Sequence, residues 1–407
     1  AAEKGGMAHP EHPLYFCKTD TSLSGPGAEV TLPTSAGRVV FEGELGIVIG
    51  KTCKDITPEQ AGDAIFGYTC INDFTSIDIL FGDPSFPQWT RSKSFDGFGV
   101  AGPVIDMLFP PGSPTRIPIA AITGTNGKTT TSRMLAHILQ MNGSTVGLTS
   151  TDGVVINGQI SVPGDMTGPV STQMVLRDPT VDAAVLEVAR GGMLRSGLGF
   201  RRSNVSACLN VSADHLGLKG INTLEQLAEI KRVPIEIAQD AAVLNADDAH
   251  CLQMADYTNA KIVSYVTMNP AHPLVKQHIQ AGGQAFVLEQ GMNGHMITIY
   301  DNEVHSPLLW THLIPATVEG KAMHNVQNAM FAAALAYNMG VGLEQIRTGL
   351  RTFDSTFFQA PGRMNIYNEH PFKVILDYAH NPAAVAAMCS LVDQFDVAGK
   401  KTVVLAA

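Results

Sequence analysis

The chain carries little charge and few aromatic rings: charged residues fill 16% of its 407 positions and aromatics 7%, with only two tryptophans. No apolar run approaches the roughly 20 residues a membrane-spanning helix needs, so a membrane span is not expected. There is no C-x-x-C pair. The six cysteines (Cys17, Cys53, Cys70, Cys208, Cys251 and Cys389) are scattered, which argues against a zinc or disulfide framework and makes a reducing cytoplasm the default. A signal-peptide pattern and internal repeats are also missing. The net charge of −10 argues against a nucleic-acid surface and fits small-molecule substrates. No methionine precedes Ala1, and Val404-Leu405-Ala406-Ala407 reads as an unfinished strand, so both ends read as cut. The composition leaves a homo-oligomer open.

What is present is ample core. A hydrophobic content of 45% over this length supports two or three domains. Residues 1 to about 105 read as mostly β, with strand-like runs over 39–41 and 45–49 and one helix near 58–64. The turn-rich word Phe109-Pro110-Pro111-Gly112-Ser113-Pro114 then makes a connector. From residue 117 strands (117–122, 183–188, 205–210, 241–245) alternate with helices (131–141, 223–232, 326–340), the pattern of a parallel α/β sheet. A second boundary falls near Ala360-Pro361-Gly362-Arg363, followed by a strand over 372–377 and a helix over 382–395.

The most informative word is Gly124-Thr125-Asn126-Gly127-Lys128-Thr129-Thr130, set between a buried strand and a helix. Backbone N–H groups of such a turn wrap an anion, the helix N-terminus adds positive potential, Lys128 adds a full charge, and Thr129 offers a hydroxyl to Mg²⁺. The spacing is G-x-x-G-K-T; the longer Walker form would need glycine at Ile122. It predicts a cradle for a nucleoside triphosphate.

Three features accompany the loop. Glu187 ends a strand beside it, where a metal ligand belongs, although a glutamate there also caps helices. His215, in Asn210-Val211-Ser212-Ala213-Asp214-His215, is either a divalent-ion ligand or a structural histidine. Lys231 lies on a helix opened by a Thr223/Gln226 capping box, and its place next to Ile230 predicts a solvated face. In the first hundred residues, Glu42-Gly43-Glu44 would present two carboxylates on one strand face. Asp73 offers a third oxygen ligand, and Lys93 a group that polarises a carbonyl. A solvated acidic face is the simpler reading of an isolated E-x-E.

Residues 124–130, Glu187, Asp214-His215, His324-Asn325-Val326-Gln327-Asn328, Pro361-Gly362-Arg363 and Asp377-Tyr378-Ala379-His380-Asn381-Pro382 resemble, in order, the words of the Mur ligase family. Further words, such as Gly164-Asp165-Met166-Thr167-Gly168-Pro169 and Ala189-Arg190-Gly191-Gly192-Met193-Leu194, resemble the Mur-type half of cyanophycin synthetases. The resemblance implies a central ATP-binding P-loop α/β domain with a parallel sheet (107–357) and the start of a Rossmann-like C-terminal domain (358–407). It implies that Gly124, Thr125, Asn126, Gly127, Lys128, Thr129 and Thr130 hold the ATP phosphates. Thr129 and Glu187 would bind one Mg²⁺ and His215 a second, with Lys231 matching a lysine that the family carbamylates. Asn328 would face the adenine, Arg363 a phosphate and Asp377 the ribose. The implied reaction is ATP-dependent amide formation through an acyl phosphate, with arginine and poly-aspartate as the implied substrates.

Residues 1–106 resemble a partial domain of the fumarylacetoacetate hydrolase family, through Ser24-Gly25-Pro26-Gly27, Phe41 to Leu45, Phe66-Gly67-Tyr68, Asn72-Asp73 and Trp89 to Asp96. That resemblance implies Glu42, Glu44 and Asp73 as Mg²⁺ ligands, Lys93 as the electrophilic lysine and Glu3 as half of an H-x-x-E pair. Gly102-Pro103-Val104-Ile105-Asp106 fits both families, which suggests a chimeric assembly or a fusion. Beside the ligase, two alternatives therefore stand: a Mg²⁺-dependent hydrolase or decarboxylase of acyl-pyruvate-like compounds, and an inactive nucleotide binder.

Overall fold

In the first part of the chain, a long antiparallel ribbon carries the acidic residues. A computed structural model describes residues 15–102, 117–178, 180–354, 356, 360–397 and 399–404. It divides into two units, Ala1–Arg116 and Ile117–Ala407. Glu3, the connector over 109–114, all of the shared word but Gly102, and both expected boundaries (106/107 and 357/358) lie outside the described residues.

In the first unit, strands β1 (Leu23–Ser24), β2 (Val39–Ile49), β3 (Ile65–Ser76) and β4 (Gly99–Ala101) form one sheet in the order β1-β4-β3-β2. The two strands expected over 39–41 and 45–49 are one continuous strand. Glu42 pairs with Asp73 and Glu44 with Ile71 in the β2–β3 ladder, so the acidic residues stay within it. The helix Pro58–Ala64 forms where expected, with proline in its first turn.

The second unit is an eleven-stranded sheet. Its strands are β5 (Ile119–Thr123), β6 (Val146–Ser150), β7 (Gly153–Ile156), β8 (Gln159–Pro163), β9 (Ala183–Glu187), β10 (Ser203–Cys208), β11 (Ala238–Asn245), β12 (Ile262–Thr267), β13 (Gln284–Gly291), β14 (Gly294–Asp301) and β15 (Val304–Trp310). The order is β15-β14-β13-β12-β11-β10-β5-β9-β6-β7-β8. From β6 to β13 the neighbours run parallel; β7, β8 and β14, β15 add antiparallel hairpins at the two ends. Parallel strands buried on both faces need continuous apolar runs, and β5, β6 and β9 are buried at every position.

Strand β5 sits between β9 and β10. The chain moves to one side of β5 for β6 and to the other for β10, which opens a crevice at the carboxyl ends of these strands, where ligands of such sheets bind. The helix Met323–Asn338, rich in alanine and buried almost all round, packs against the helix Lys128–Met141 in the main core. After it, β16 (Asn365–Tyr367) and β17 (Val374–Leu376) form a hairpin, and the helix Pro382–Asp393 follows. The strand expected over 372–377 is thus shorter: only Val374–Leu376 finds ladder partners on β16. Among the described residues no helix is long and apolar enough to cross a membrane.

Candidate functional site

The phosphate-loop word lies in the crevice at the end of β5. Gly124 (φ 146°) and Gly127 (φ 87°) take backbone conformations that disfavour a side chain, and a Cβ on Gly127 would lie 2.3 Å from Asn328 Oδ1. Gly127 is the N-cap, so the helix runs Lys128–Met141, three residues earlier than the 131 expected. Lys128, Thr129 and Thr130 therefore stand in its first turn, whose N–H groups have no intrahelical acceptors. Asn210, to which the sequence had assigned no role, shapes the loop: its Oδ1 accepts from Thr125 N (3.1 Å) and Asn126 N (2.8 Å).

Lys128 Nζ donates to Thr125 O at 2.8 Å, and burial pushes its pKa down. Thr129 Oγ1 donates to Glu187 Oε2 at 2.9 Å. Glu187 is 2% exposed, its pKa is raised by burial against the opposing charge of Lys128, and its Oε1 is buried with no hydrogen-bond partner. A buried carboxylate oxygen without a donor suits a hard divalent cation, which takes oxygen ligands. This end of the crevice therefore fits Mg²⁺.

Lys231 corrects the sequence reading. It was expected on a solvated face, yet it is 4% exposed and its Nζ donates to Gly124 O at 2.7 Å. The helix runs on to Glu236, through Pro234, and turns Lys231 inward under the loop. Burial, with the Lys128 charge added, lowers its pKa to about 7. The reading overlooked the i, i+4 relation to Leu227: the buried stripe of this helix runs through Leu227, Lys231 and Pro234.

His215 is exposed and has a left-handed backbone (φ 52°); its Nε2 lies 3.7 Å from Asp214 Oδ1. The segment after residue 360 reaches the loop. Arg363 Nη2 donates to Thr129 Oγ1 (3.3 Å) and Thr151 Oγ1 (3.1 Å), and its guanidinium lies 4.8 Å from the Tyr378 ring centroid. Asn126 and Asn381 exchange amide hydrogen bonds at 3.1 and 2.8 Å. Asp377 accepts from Met364 N at 2.8 Å, with its pKa raised by burial. Asn328, expected at the adenine, is buried and accepts from Thr131 Oγ1 while donating to Asn325 Oδ1. Asn381 lay in a word noted only for its resemblance, and Thr151 was given no role; their contacts with Asn126 and with Thr129 and Arg363 depend on folding that no local pattern encodes.

In the first unit, ligand atoms of Glu42, Glu44 and Asp73 lie within 4.8 Å of one another. Lys93 is 1% exposed and donates to Glu42 Oε2 (2.5 Å), Asp73 Oδ2 (2.6 Å) and Thr75 Oγ1 (2.6 Å). Burial works to lower its pKa, but these partners outweigh it and the pKa is raised. Lys18, missed in the sequence, also pairs with Asp73. Glu44 is held above the usual carboxylate range by burial and by the Asp73 charge. The acidic pair is thus gathered around Asp73 and is not a merely solvated face.

The fumarylacetoacetate (FAA) hydrolase C-terminal family matches residues 1–156, and the Mur ligase middle domain family matches 122–336. A cyanophycin synthetase of Synechocystis sp. is 49% identical over 291 residues, covering 71% of this chain and 33% of that protein. A UDP-N-acetylmuramoyl-L-alanyl-D-glutamate–2,6-diaminopimelate ligase of Corynebacterium efficiens is 30% identical over 289 residues, 68% of this chain and 50% of its own. The chain thus spans about a third of the cyanophycin synthetase's length. A solved 2,6-diaminopimelate ligase structure aligns with TM-score 0.52 at 22% identity, over 70% of this chain and 55% of its own, a likeness of fold. With the loop, crevice and sheet in place and residues 122–336 matched, the chain belongs to the Mur ligase family.

Proposed function

We propose that the Ile117–Ala407 unit is the phosphoryl-transfer part of an ATP-dependent amide ligase. It would activate a carboxylate as an acyl phosphate and join it to an amino-acid amine. The observation that carries the reading is Glu187, with one oxygen on the Thr129 hydroxyl and the other buried without a partner beside a G-x-x-G-K-T loop. Mg²⁺ held by Thr129 and Glu187 would neutralise charge on the transferring phosphoryl group.

The chain's own groups do the rest. N–H groups of the first turn after Gly127 bind phosphate oxygens. Lys128 exchanges its bond to Thr125 O for a phosphate oxygen, and Arg363 adds a second charge from the following segment. These groups are already in position, so catalysis is mostly orientation and electrostatics. A half-neutral Lys231 near pH 7 is poised for the carbamylation its resemblance implies, and His215 would serve a second Mg²⁺. Asn328 would lie toward the adenine and Asp377 toward the ribose. The 49% identity to a cyanophycin synthetase supports arginine as the amine and the side-chain carboxylates of poly-aspartate as acceptors. We place the work in the cytoplasm, where ATP and free arginine meet. The domain limits of the reading are 107–357 for the ATP-binding part and 358–407 for the segment that closes on it.

A phosphate-release assay with ATP, Mg²⁺, arginine and a poly-aspartate primer, with product mass read out, tests the proposal. Equimolar phosphate and primer-linked arginine support it; ATP binding without amide product makes the unit a nucleotide binder. A second reading rests on the Glu42, Glu44 and Asp73 cluster with Lys93 in the first unit. Mg²⁺-dependent turnover of an acyl-pyruvate, lost in Glu44→Ala, would assign hydrolase chemistry there.

A further inference from the structure

We propose that the outer face of the β2–β3 ribbon is the contact through which two copies of this chain pair. Successive strand residues point to opposite faces, and cross-strand partners share one. Leu45 stands opposite Cys70 and Ile47 opposite Tyr68, with Phe41 and Phe66 further along the same face. Phe41, Leu45, Ile47, Phe66 and Tyr68 are each more than half exposed, and Cys70 is exposed as well. No residue of this face carries a charge: it reads Phe41, Gly43, Leu45 and Ile47 on one strand and Phe66, Tyr68, Cys70 and Asn72 on the other.

The opposite face differs. It holds Glu42, Glu44 and Asp73, and there the ribbon covers itself: a Cβ on Gly46 would lie 2.8 Å from Ile71 Cδ1 and 2.9 Å from Thr69 Cγ2. The outer face has no such cover among the described residues. Strand β4 meets β3 only at Ile71–Asp73, so beyond Cys70 the ribbon is two strands wide. A ribbon of two strands is marginally stable until one face is packed.

The size of the face fits a pair. At about 100–150 Å² of bare side chain each, the five large residues together with Cys70 present roughly 700 Å². The largest apolar patch of a typical monomer is about 300–600 Å², and a standard interface takes about 800 Å² from each partner. Charge selects the occupant. An uncharged face gives a foreign partner no charge to match, whereas a two-fold pair sets the same patch against itself. In that pair Glu42 and Glu44 of both copies stay on the outward faces. Chains of net charge −10 can then meet without bringing the acidic faces of their ribbons together. Neither nucleotide nor metal takes part, so the pairing is independent of the ligase reading.

Sedimentation equilibrium of the full chain at roughly 50 μM, above the micromolar dissociation constants of weak interfaces of this size, tests this. We expect twice the chain mass of 43.3 kDa. Leu45→Glu and Ile47→Glu should each weaken pairing by about 100-fold or more, because an unpaired charge would be buried at the contact, with unchanged circular dichroism. Met292→Glu, at the exposed turn between β13 and β14, should leave the mass doubled. Cys70 reports on the contact without a variant. In the pair its alkylation should slow at least about tenfold relative to Cys53, exposed in the loop after β2, and recover on dilution as the pair dissociates. A monomer at this concentration leaves the face to another occupant and overturns the proposal. A dimer insensitive to both glutamates places the contact elsewhere, and Cys70 protected equally at every dilution means the chain covers the face itself; either result overturns it too.

Discussion

Lys231 makes a measurable claim about pH. Its ammonium is buried beneath the phosphate loop with a single carbonyl partner, Gly124 O, and its pKa falls from the ordinary 10.5 to about 7. In the unfolded chain the lysine stays protonated up to its ordinary value. Between those two limits the unfolded state binds the extra proton, so stability rises with pH across the window and the protonated lysine opposes folding below it. At about 1.4 kcal/mol per pH unit, the destabilisation at pH 6.5 reaches about 4–5 kcal/mol and shrinks to about 2 kcal/mol at pH 9. Lys231→Met keeps the apolar stem and removes the charge. The stability advantage of the variant over wild type should therefore fall by about 2.5 kcal/mol between these pH values. The chain has two tryptophans: Trp89 lies in the first unit and Trp310 on β15 of the second. In a Trp89→Phe background, urea unfolding followed by Trp310 fluorescence reads the right unit, and other titrating groups cancel in the comparison. Parallel stability–pH profiles for the variant and its parent would refute the reasoning.

Other perturbations have outcomes just as definite. Gly127→Ala combines a φ of 87° with a Cβ 2.3 Å from Asn328 Oδ1, and should cost about 2–4 kcal/mol in the same fluorescence assay. Glu187→Gln should lower Mg²⁺-dependent ATP affinity at least about tenfold by calorimetry, with melting temperature unchanged or raised, because a buried carboxylate opposes folding more than an amide does. Asn381→Ala removes the cap on Ala384 N and the amide pair with Asn126. Amides in the first turn of Pro382–Asp393 should then exchange faster, by about 1 kcal/mol of local stability. Lys93→Met would leave Asp73, itself 1% exposed, with Lys18 as its remaining cation, and should destabilise the first unit by about 1–3 kcal/mol, read from Trp89 fluorescence in a Trp310→Phe background.

The middle of the sheet, β5 with β9, β10 and β11, was legible because these strands are short apolar runs with helices between them, whereas β6–β8 and β12–β15 were not singled out; the loop was legible because its glycines, lysine and threonines are contiguous. Boundaries moved where a cap overrode the pattern: Gly127 starts its helix at Lys128, well before the apolar stripe begins. Lys231 was misplaced because burial of a lysine depends on which neighbours arrive over it, here the carbonyl of Gly124. Asn210, Thr151, Asn381 and Lys18 act through partners at least 22 residues away, such as Thr151 with Thr129 or Asn381 with Asn126. Chain topology alone brings them together, and no spacing in the sequence marks them.

The hairpins at either end of the eleven-stranded sheet have a consequence for how copies of the chain meet. The outermost strands, β8 and β15, each contain a proline, Pro163 and Pro307. A proline interrupts the row of amide donors that a docking strand would need, so this sheet is poorly suited to growing by strand addition at either flank. In the first unit the outermost strand β2 has no proline over its 11 residues and bears exposed Phe41, Leu45, Ile47 and Ile49. Among the described residues, the long edge strand without proline is therefore on the ribbon that carries the acidic cluster, and the nucleotide sheet ends at both flanks in strands that proline interrupts.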